Sequence, residues 1–239
     1  MARSVVLQGT RRCERCEMPP RWCVCAAQRV VSCALRVDVL QHALEAHRPS
    51  STGNLIPRVV EGARVHPYRR ERGVRREEIA RLAAEVDEVW ILHPHGEEPP
   101  RDAPPAERLQ VVLLDASWAQ AGGMLDEVKN WGRRVRLPMV GRSRYALRAQ
   151  NGADRFSTFE ALLFLLEALG QVETSAALRA QFELHVYAGL CARGRKVEAA
   201  AYLTESPIGG AFPEVIAELA RRRPVEDASR GAGARSRPD

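Results

Sequence analysis

The stretch LQVVLLDASW, residues 109–118, decides the fold. It opens as a short apolar run and ends on Asp115. A run this short and this apolar is a strand buried on both faces, as in a parallel sheet. Ser117 and Gln120 then have the spacing of a capping box, so a helix starts at once. A buried strand that feeds directly into a helix is half of a βαβ unit.

Outward from this unit the same alternation recurs. Upstream, EVWIL at 88–92 is a second apolar strand that ends at His93-Pro94, followed by the Pro-rich loop HGEEPPRDAPPAE. CALRVDVL at 33–40 alternates and predicts a strand with Leu35, Val37 and Val39 on one face. Residues 42–53 read as a polar loop, 54–61 as a short helix broken near Pro57, and 64–68 as a weak strand. The 3–4 spacing of Ile79, Leu82, Ala83 and Val86 predicts a helix over 77–86. Downstream, 134–137 is a third short strand that ends at Pro138. Ser157 and Glu160 form another capping box and open an apolar helix over 158–169, which Gly170 can terminate. Helix continues over 173–193. From Arg221 the chain is rich in Arg, Pro, Gly, Ala and Ser, the composition of a disordered tail. The order predicts an α/β fold with a mostly parallel sheet covered on both faces. Ligands of such sheets bind beyond the carboxyl ends of the strands.

Composition narrows the class. The chain has 239 residues, 45% hydrophobic and 28% charged, with a net charge of +6. No run approaches the roughly 18–20 apolar residues of a bilayer span, and residues 1–12 contain no apolar signal core. The expectation is a cytoplasmic protein without membrane contact. Lys occurs only at Lys129 and Lys196, so nearly all positive charge is Arg. Arg133, Arg134, Arg136, Arg142, Arg144 and Arg148 crowd one stretch, with Tyr145 among them. This is either a solvated basic face or a track for RNA phosphates. GxGxxG, Walker A, HExxH and GxSxG motifs are absent, against dehydrogenases, P-loop enzymes, zincins and serine hydrolases.

Four positions carry candidate chemistry. Cys13, Cys16, Cys23 and Cys25 form C-x2-C-x6-C-x-C within an arm spanning residues 1–29. Two thiolate pairs on short turns can close a tetrahedral structural Zn site; unligated or redox cysteines are the alternative. Asp115 at a strand tip is placed to take a proton or orient a substrate, or else is an ordinary strand-to-helix cap. Trp118 reads as core or as a base-stacking platform. Gly122-Gly123 inside the helix calls for a close neighbour or ligand. The helix start at Ser157 and Thr158 and the turn Ser50-Ser51-Thr52-Gly53 can each hold an anion.

Together these pieces resemble the DTW-domain family, named for an Asp-x-Thr-Trp-type strand-end motif. That motif here is Asp115-Ala116-Ser117-Trp118, with Ser in place of Thr: the hydroxyl stays and a methyl is lost. The cysteine pattern, Arg48 with Ser51-Thr52-Gly53, Tyr145-x-Leu147-Arg148 and Ser157-Thr158-x-Glu160-Ala161 also match, in the family's order over residues 13–190. The resemblance implies a tRNA-uridine aminocarboxypropyltransferase that uses S-adenosylmethionine as co-substrate and releases 5′-methylthioadenosine. It implies a SPOUT-like, partly knotted catalytic domain over 30–220, between the zinc arm and a tail over 221–239. Asp115, Ser117 and Trp118 would be catalytic. Ser51, Thr52, Gly53, His93, Pro94, Leu137, Pro138, Met139, Ser157, Thr158 and Glu160 would bind the cofactor, with Glu160 on its amine. Arg48, Arg142, Arg144, Tyr145 and Arg148 would bind tRNA. A SPOUT-type RNA methyltransferase, a non-enzymatic zinc-containing RNA-binding module, and an rRNA substrate are the rival readings. SPOUT relatives are often dimers, and the oligomeric state stays open.

Overall fold

The computed structural model describes residues 11–69, 86–148 and 155–221. The helix expected over 77–86 and the tail from 222 onward therefore lie outside the described residues.

Five strands form one sheet: β1 (Arg36–His42), β2 (Arg64–Tyr68), β3 (Glu88–Glu97), β4 (Leu109–Asp115) and β5 (Arg133–Val135). Their order is β2-β1-β4-β3-β5 and every pairing is parallel. The helices are α1 (Ile56–Val59), α2 (Trp118–Val128), α3 (Thr158–Ala168), α4 (Val172–Ala192), α5 (Lys196–Thr204), α6 (Ile208–Ala211) and α7 (Pro213–Ala220). The mixed α/β class and the parallel sheet agree with the sequence reading.

Side-chain alternation sorts the sheet into two covered faces. Val37, Val39, Trp90, Val111, Leu113 and Val135 point to one side, where α1, α3 and α4 pack. Leu40, Ile91 and Val112 point to the other, against Met124, Leu125 and Val128 of α2. Helix α4 is buried almost all round from Gln181 to Leu190, and the rings of Phe159 and Phe182 stack at 5.2 Å beneath the sheet. Cys16, Met18, Val24 and Cys25 of the N-terminal arm are buried in this same core rather than beside it.

Local differences have local causes. Pro57 sits in the first turn of α1, where its missing N–H removes no helix bond, so the helix begins there instead of breaking. Strand β3 runs past His93-Pro94 because its far end pairs again with β5, at Glu97 opposite Val135, after an irregularity that accommodates the proline. Gly96 lies directly against the Val135 backbone there, and a side chain would not fit. Strand β5 ends at Val135, which leaves Leu137 in the following loop. Both capping boxes form, and Gly170 terminates α3 with a φ of 74°. Gly122 and Gly123 contradict the sequence expectation: they are exposed and no described atom lies where a side chain would go.

Candidate functional site

Strand order locates the site. The chain leaves β1 toward β2 on one side, and leaves β4 through α2 toward β5 on the other. A crevice opens between the carboxyl ends of two adjacent strands whose connections diverge in this way. In register, Gln41 of β1 faces Asp115 of β4 at that point.

Asp115 is 5% exposed and collects donors from three parts of the chain. Its Oδ2 accepts from Ser51 Oγ at 2.8 Å and Gln41 Nε2 at 3.0 Å, and its Oδ1 from Thr158 Oγ1 at 2.8 Å. Thr52 Oγ1 meanwhile accepts from the Phe159 N–H at 3.4 Å. The turn at 50–54, the tip of β4 and the start of α3 thus converge on one carboxylate. Gly53 has no gap to spare: a Cβ there would overlap the Asp115 carboxyl group. Gly53→Ala is therefore expected to push the turn off Asp115, lowering the melting temperature by a few degrees for about 1–2 kcal/mol of lost stability. A thermal melt unchanged from wild type would refute this packing.

A cleft of about 390 Å³ opens over these groups. Its floor is polar: Ser50, Ser51, Thr52, Asp115, Ser117, Tyr145, Ser157 and Thr158. Leu92, Pro94, Leu114, Val135, Leu137, Met139 and Phe156 make an apolar wall, and His93, Arg148 and Arg155 add basic groups. Of the residues expected from the sequence, Ser51, Thr52, His93, Pro94, Asp115, Ser117, Trp118, Leu137, Met139, Tyr145, Arg148, Ser157 and Thr158 meet here. Gly53 packs against Asp115, and Pro138 is exposed and does not line the cleft. Arg155 and the wall residues Leu92, Leu114 and Val135 were not anticipated. Arg155 carries no motif. Phe156 precedes the Ser157 cap and packs edge-on to Phe164 at 5.0 Å.

Several expected roles are redirected. Trp118 is not core: it is 45% exposed, with the Arg155 guanidinium 5.2 Å from its ring centre. Ser117 caps α2, and its hydroxyl donates to Gln120 Oε1 at 2.7 Å. Glu160 is buried and fully engaged, so it cannot hold a cofactor amine. Its Oε1 accepts from the Arg144 N–H at 2.7 Å and its Oε2 from the Ser157 N–H at 2.8 Å, with Ser143 Oγ reaching both oxygens. Arg144 is likewise withdrawn from any RNA track. It binds Glu205 at 2.7 Å and Glu183 at 3.4 Å and lies 4.1 Å over the Tyr202 ring. Tyr145 is buried, and its hydroxyl donates to the Ser50 carbonyl; burial pushes its pKa up to about 12, so it stays a donor. Arg148 pairs with Glu45 and donates to Ser50 Oγ at 3.2 Å, and Arg48 binds the same Glu45 at 3.0 Å. Arg142 is exposed and makes no ion pair among the described residues.

His93 has its pKa lowered by burial first, then by His95 and Arg134, which favours the neutral ring. Its Nδ1 accepts from the His95 N–H at 3.2 Å, leaving the proton on Nε2. At the start of α3, the N–H groups of Phe159, Glu160 and Ala161 are satisfied internally. Among the described residues the Thr158 N–H has no partner, and it is the one donor this helix start can offer an anion.

A second cluster lies in the arm. The sulfurs of Cys13, Cys16, Cys23 and Cys25 are all within 4.8 Å of one another, and those of Cys16 and Cys23 are 3.7 Å apart. Tetrahedral coordination with metal–sulfur bonds of about 2.3 Å puts sulfurs about 3.8 Å apart. The four cysteines can therefore hold a metal ion, and an all-thiolate donor set suits zinc. The turns that gather them are local: the Cys13 N–H bonds the Met18 carbonyl at 2.9 Å, the Glu17 N–H bonds the Cys13 carbonyl at 2.8 Å, and Glu17 adopts a left-handed φ of 58°. Hydrogen bonding from Cys16, aided by the Arg58 charge, pulls the Cys25 thiol down to about 5, while Cys16 moves up. Cys33 and Cys191 stand apart as free thiols.

Fold and site define an α/β protein with a parallel sheet, a cleft at its switch point and a four-cysteine arm. The chain belongs to the DTW-domain family, whose sequence model matches residues 10–188. Membership is compatible with a tRNA-modifying transferase. No solved structure matches the chain. Among the described residues, no helix is long and apolar enough to cross a membrane.

Proposed function

We propose that this protein transfers the 3-amino-3-carboxypropyl group of S-adenosylmethionine to N3 of a tRNA uridine. The observation that supports it is the convergence of three family motifs on Asp115 at the floor of a cleft with one apolar wall and basic groups beside it. The sulfonium supplies an electrophilic carbon, so the chain's task is to place one carbon and one nucleophile in line.

Leu92, Pro94, Leu137 and Met139 hold the adenosine by apolar contact. The Thr158 N–H and the Thr52 hydroxyl, whose oxygen accepts from the Phe159 N–H and whose proton is free among the described residues, hold the carboxylate. Asp115 uses three of its roughly four acceptor sites internally, and the remaining site on Oδ1 receives the uridine N3 proton. As the N3–carbon bond forms, the carbon–sulfur bond breaks and sulfur keeps the electron pair as the neutral thioether of methylthioadenosine. Trp118 flanks the base, and Arg142 and Arg155 meet phosphates of the tRNA. Zinc in the four-cysteine centre is structural, because four thiolates leave it no open position. A SPOUT-type knot around the cofactor loops belongs to the same reading.

The test is to incubate the protein with unmodified tRNA and S-adenosylmethionine and identify the nucleosides by mass spectrometry. Aminocarboxypropyl-uridine with released methylthioadenosine is expected. A methylated nucleoside with S-adenosylhomocysteine would replace this reading with methyl transfer. Absence of cofactor binding would leave an RNA-binding module.

A further inference from the structure

The cysteine cluster and the crevice at Asp115 stand at two ends of one hydrogen-bonded path. Arg58, on α1, links them. Its Nη1 donates to Cys25 Sγ at 3.4 Å and its Nε donates to the Asn54 carbonyl at 3.0 Å. Asn54 closes the turn at 50–54. Its Nδ2 donates to the Ala46 carbonyl at 2.9 Å, its N–H to Ser51 Oγ at 3.3 Å, and its Oδ1 accepts from Gln41 Nε2 at 2.9 Å. The same Gln41 nitrogen reaches Asp115 Oδ2 at 3.0 Å. One guanidinium thus spans from a metal-ligating sulfur to the turn that packs against the crevice carboxylate.

Electrostatics makes this link depend on the cluster. Among the described residues no carboxylate pairs with Arg58; its partners are the Cys25 sulfur and the Asn54 carbonyl. The nearby His185 is fully buried, and burial pushes its pKa down to about 3, so it is neutral and sets no second positive charge beside Arg58. Four thiolates around a divalent cation carry a net charge of −2, which holds a half-buried guanidinium in place. Without the ion that charge falls, and the hold on Arg58 weakens with it. Because Gly53 leaves no gap against Asp115, the turn cannot move without disturbing that contact.

We propose that the four-cysteine metal centre sets the position of the 50–54 turn through Arg58, which is a positioning residue for the crevice that touches no ligand itself. The inference rests on metal binding by the cysteines, not on the transfer reaction.

The experiment uses the full chain loaded with zinc, with two readouts: amide hydrogen exchange in peptides covering 50–55, and the rate of zinc extraction by a chromophoric chelator. In Arg58→Met, exchange in the turn is expected to rise about tenfold while β4 and α4 stay protected, and extraction is expected to quicken about tenfold, the lower end for loss of an outer-shell partner. In Arg58→Lys, the ammonium keeps charge beside the sulfurs but cannot hold the Asn54 carbonyl as well. There, extraction stays within about threefold of wild type while exchange in the turn still rises. Wild-type exchange over 50–55 in either folded variant overturns the proposal. If Arg58→Met does not fold, Arg58→Lys decides alone. Neither readout involves transfer, so a failed transfer assay and a failed link are distinguishable.

Discussion

Asp115→Asn is expected to lower the single-turnover rate of product formation by at least about a thousandfold, in a protein that still folds. The size follows from two losses. An amide cannot take up the N3 proton, and removing a positioned base typically costs about 10²–10⁴-fold. The second loss is geometric. Ser51 Oγ, Gln41 Nε2 and Thr158 Oγ1 all aim hydrogens at the carboxylate. Asn presents one acceptor oxygen and one donor nitrogen, so one side of the convergence becomes donor against donor. The expected stability cost is about 1–3 kcal/mol, the range for an unsatisfied buried polar group. Product by mass spectrometry and a thermal melt separate the two effects. Wild-type turnover in folded Asp115→Asn would remove Asp115 from the chemistry and leave it a scaffold for the turn.

Removing the metal is expected to be the largest perturbation of stability. Cys16 and Cys25 are buried in the principal core with Met18 and Val24. A metal ion coordinated there would stabilise the packing of the arm as well as the arm itself. Cys16→Ser, or chelation of the wild type, is expected to cost at least about 3 kcal/mol, a fall of roughly 6–12 °C in melting temperature for a chain of this size. Metal content by mass spectrometry and melts with and without chelator check this. A protein that purifies without metal and melts identically in chelator would assign the cluster to four free thiols.

The strands and both caps were legible because their signals are local. LQVVLL is apolar enough to be a buried strand wherever it lies, and Ser117-x-x-Gln120 closes its own ring. Part of the cleft lining was legible for a related reason: His93, Pro94 and Asp115 were read at strand ends, and strand ends of a parallel sheet share one edge, whereas bringing Ser51, Thr52, Ser157 and Thr158 to that edge was implied only by the family resemblance. What each polar side chain does there was not legible. Glu160 looks like a free carboxylate beside a helix start, yet Ser143 and the Arg144 backbone arrive from elsewhere to occupy it. Arg144 looks like part of a basic track, yet Glu183 and Glu205, far along the chain, claim it. Gly122-Gly123 looked like the close approach, whereas Gly53, in an ordinary polar turn, is where Asp115 leaves no room. Helix α5 lacks apolar periodicity strong enough to read and α6 is a single turn, whereas α7 is amphipathic, with Ile216 and Leu219 on its buried face, and carried a signal that could have been read.

The docking of the arm has a consequence for how the protein is made. The Arg29 N–H bonds Gln181 Oε1 across 152 residues of chain. At synthesis rates of about 5–20 residues per second, the arm waits roughly 8–30 s for the helix that covers it. Its four cysteines are all translated before that wait begins, so a metal ion can organise the nascent arm while its packing partner does not yet exist. Scarcity of the ion is therefore expected to act on newly made chains more than on finished ones, in which Cys16 and Cys25 are already buried in the core.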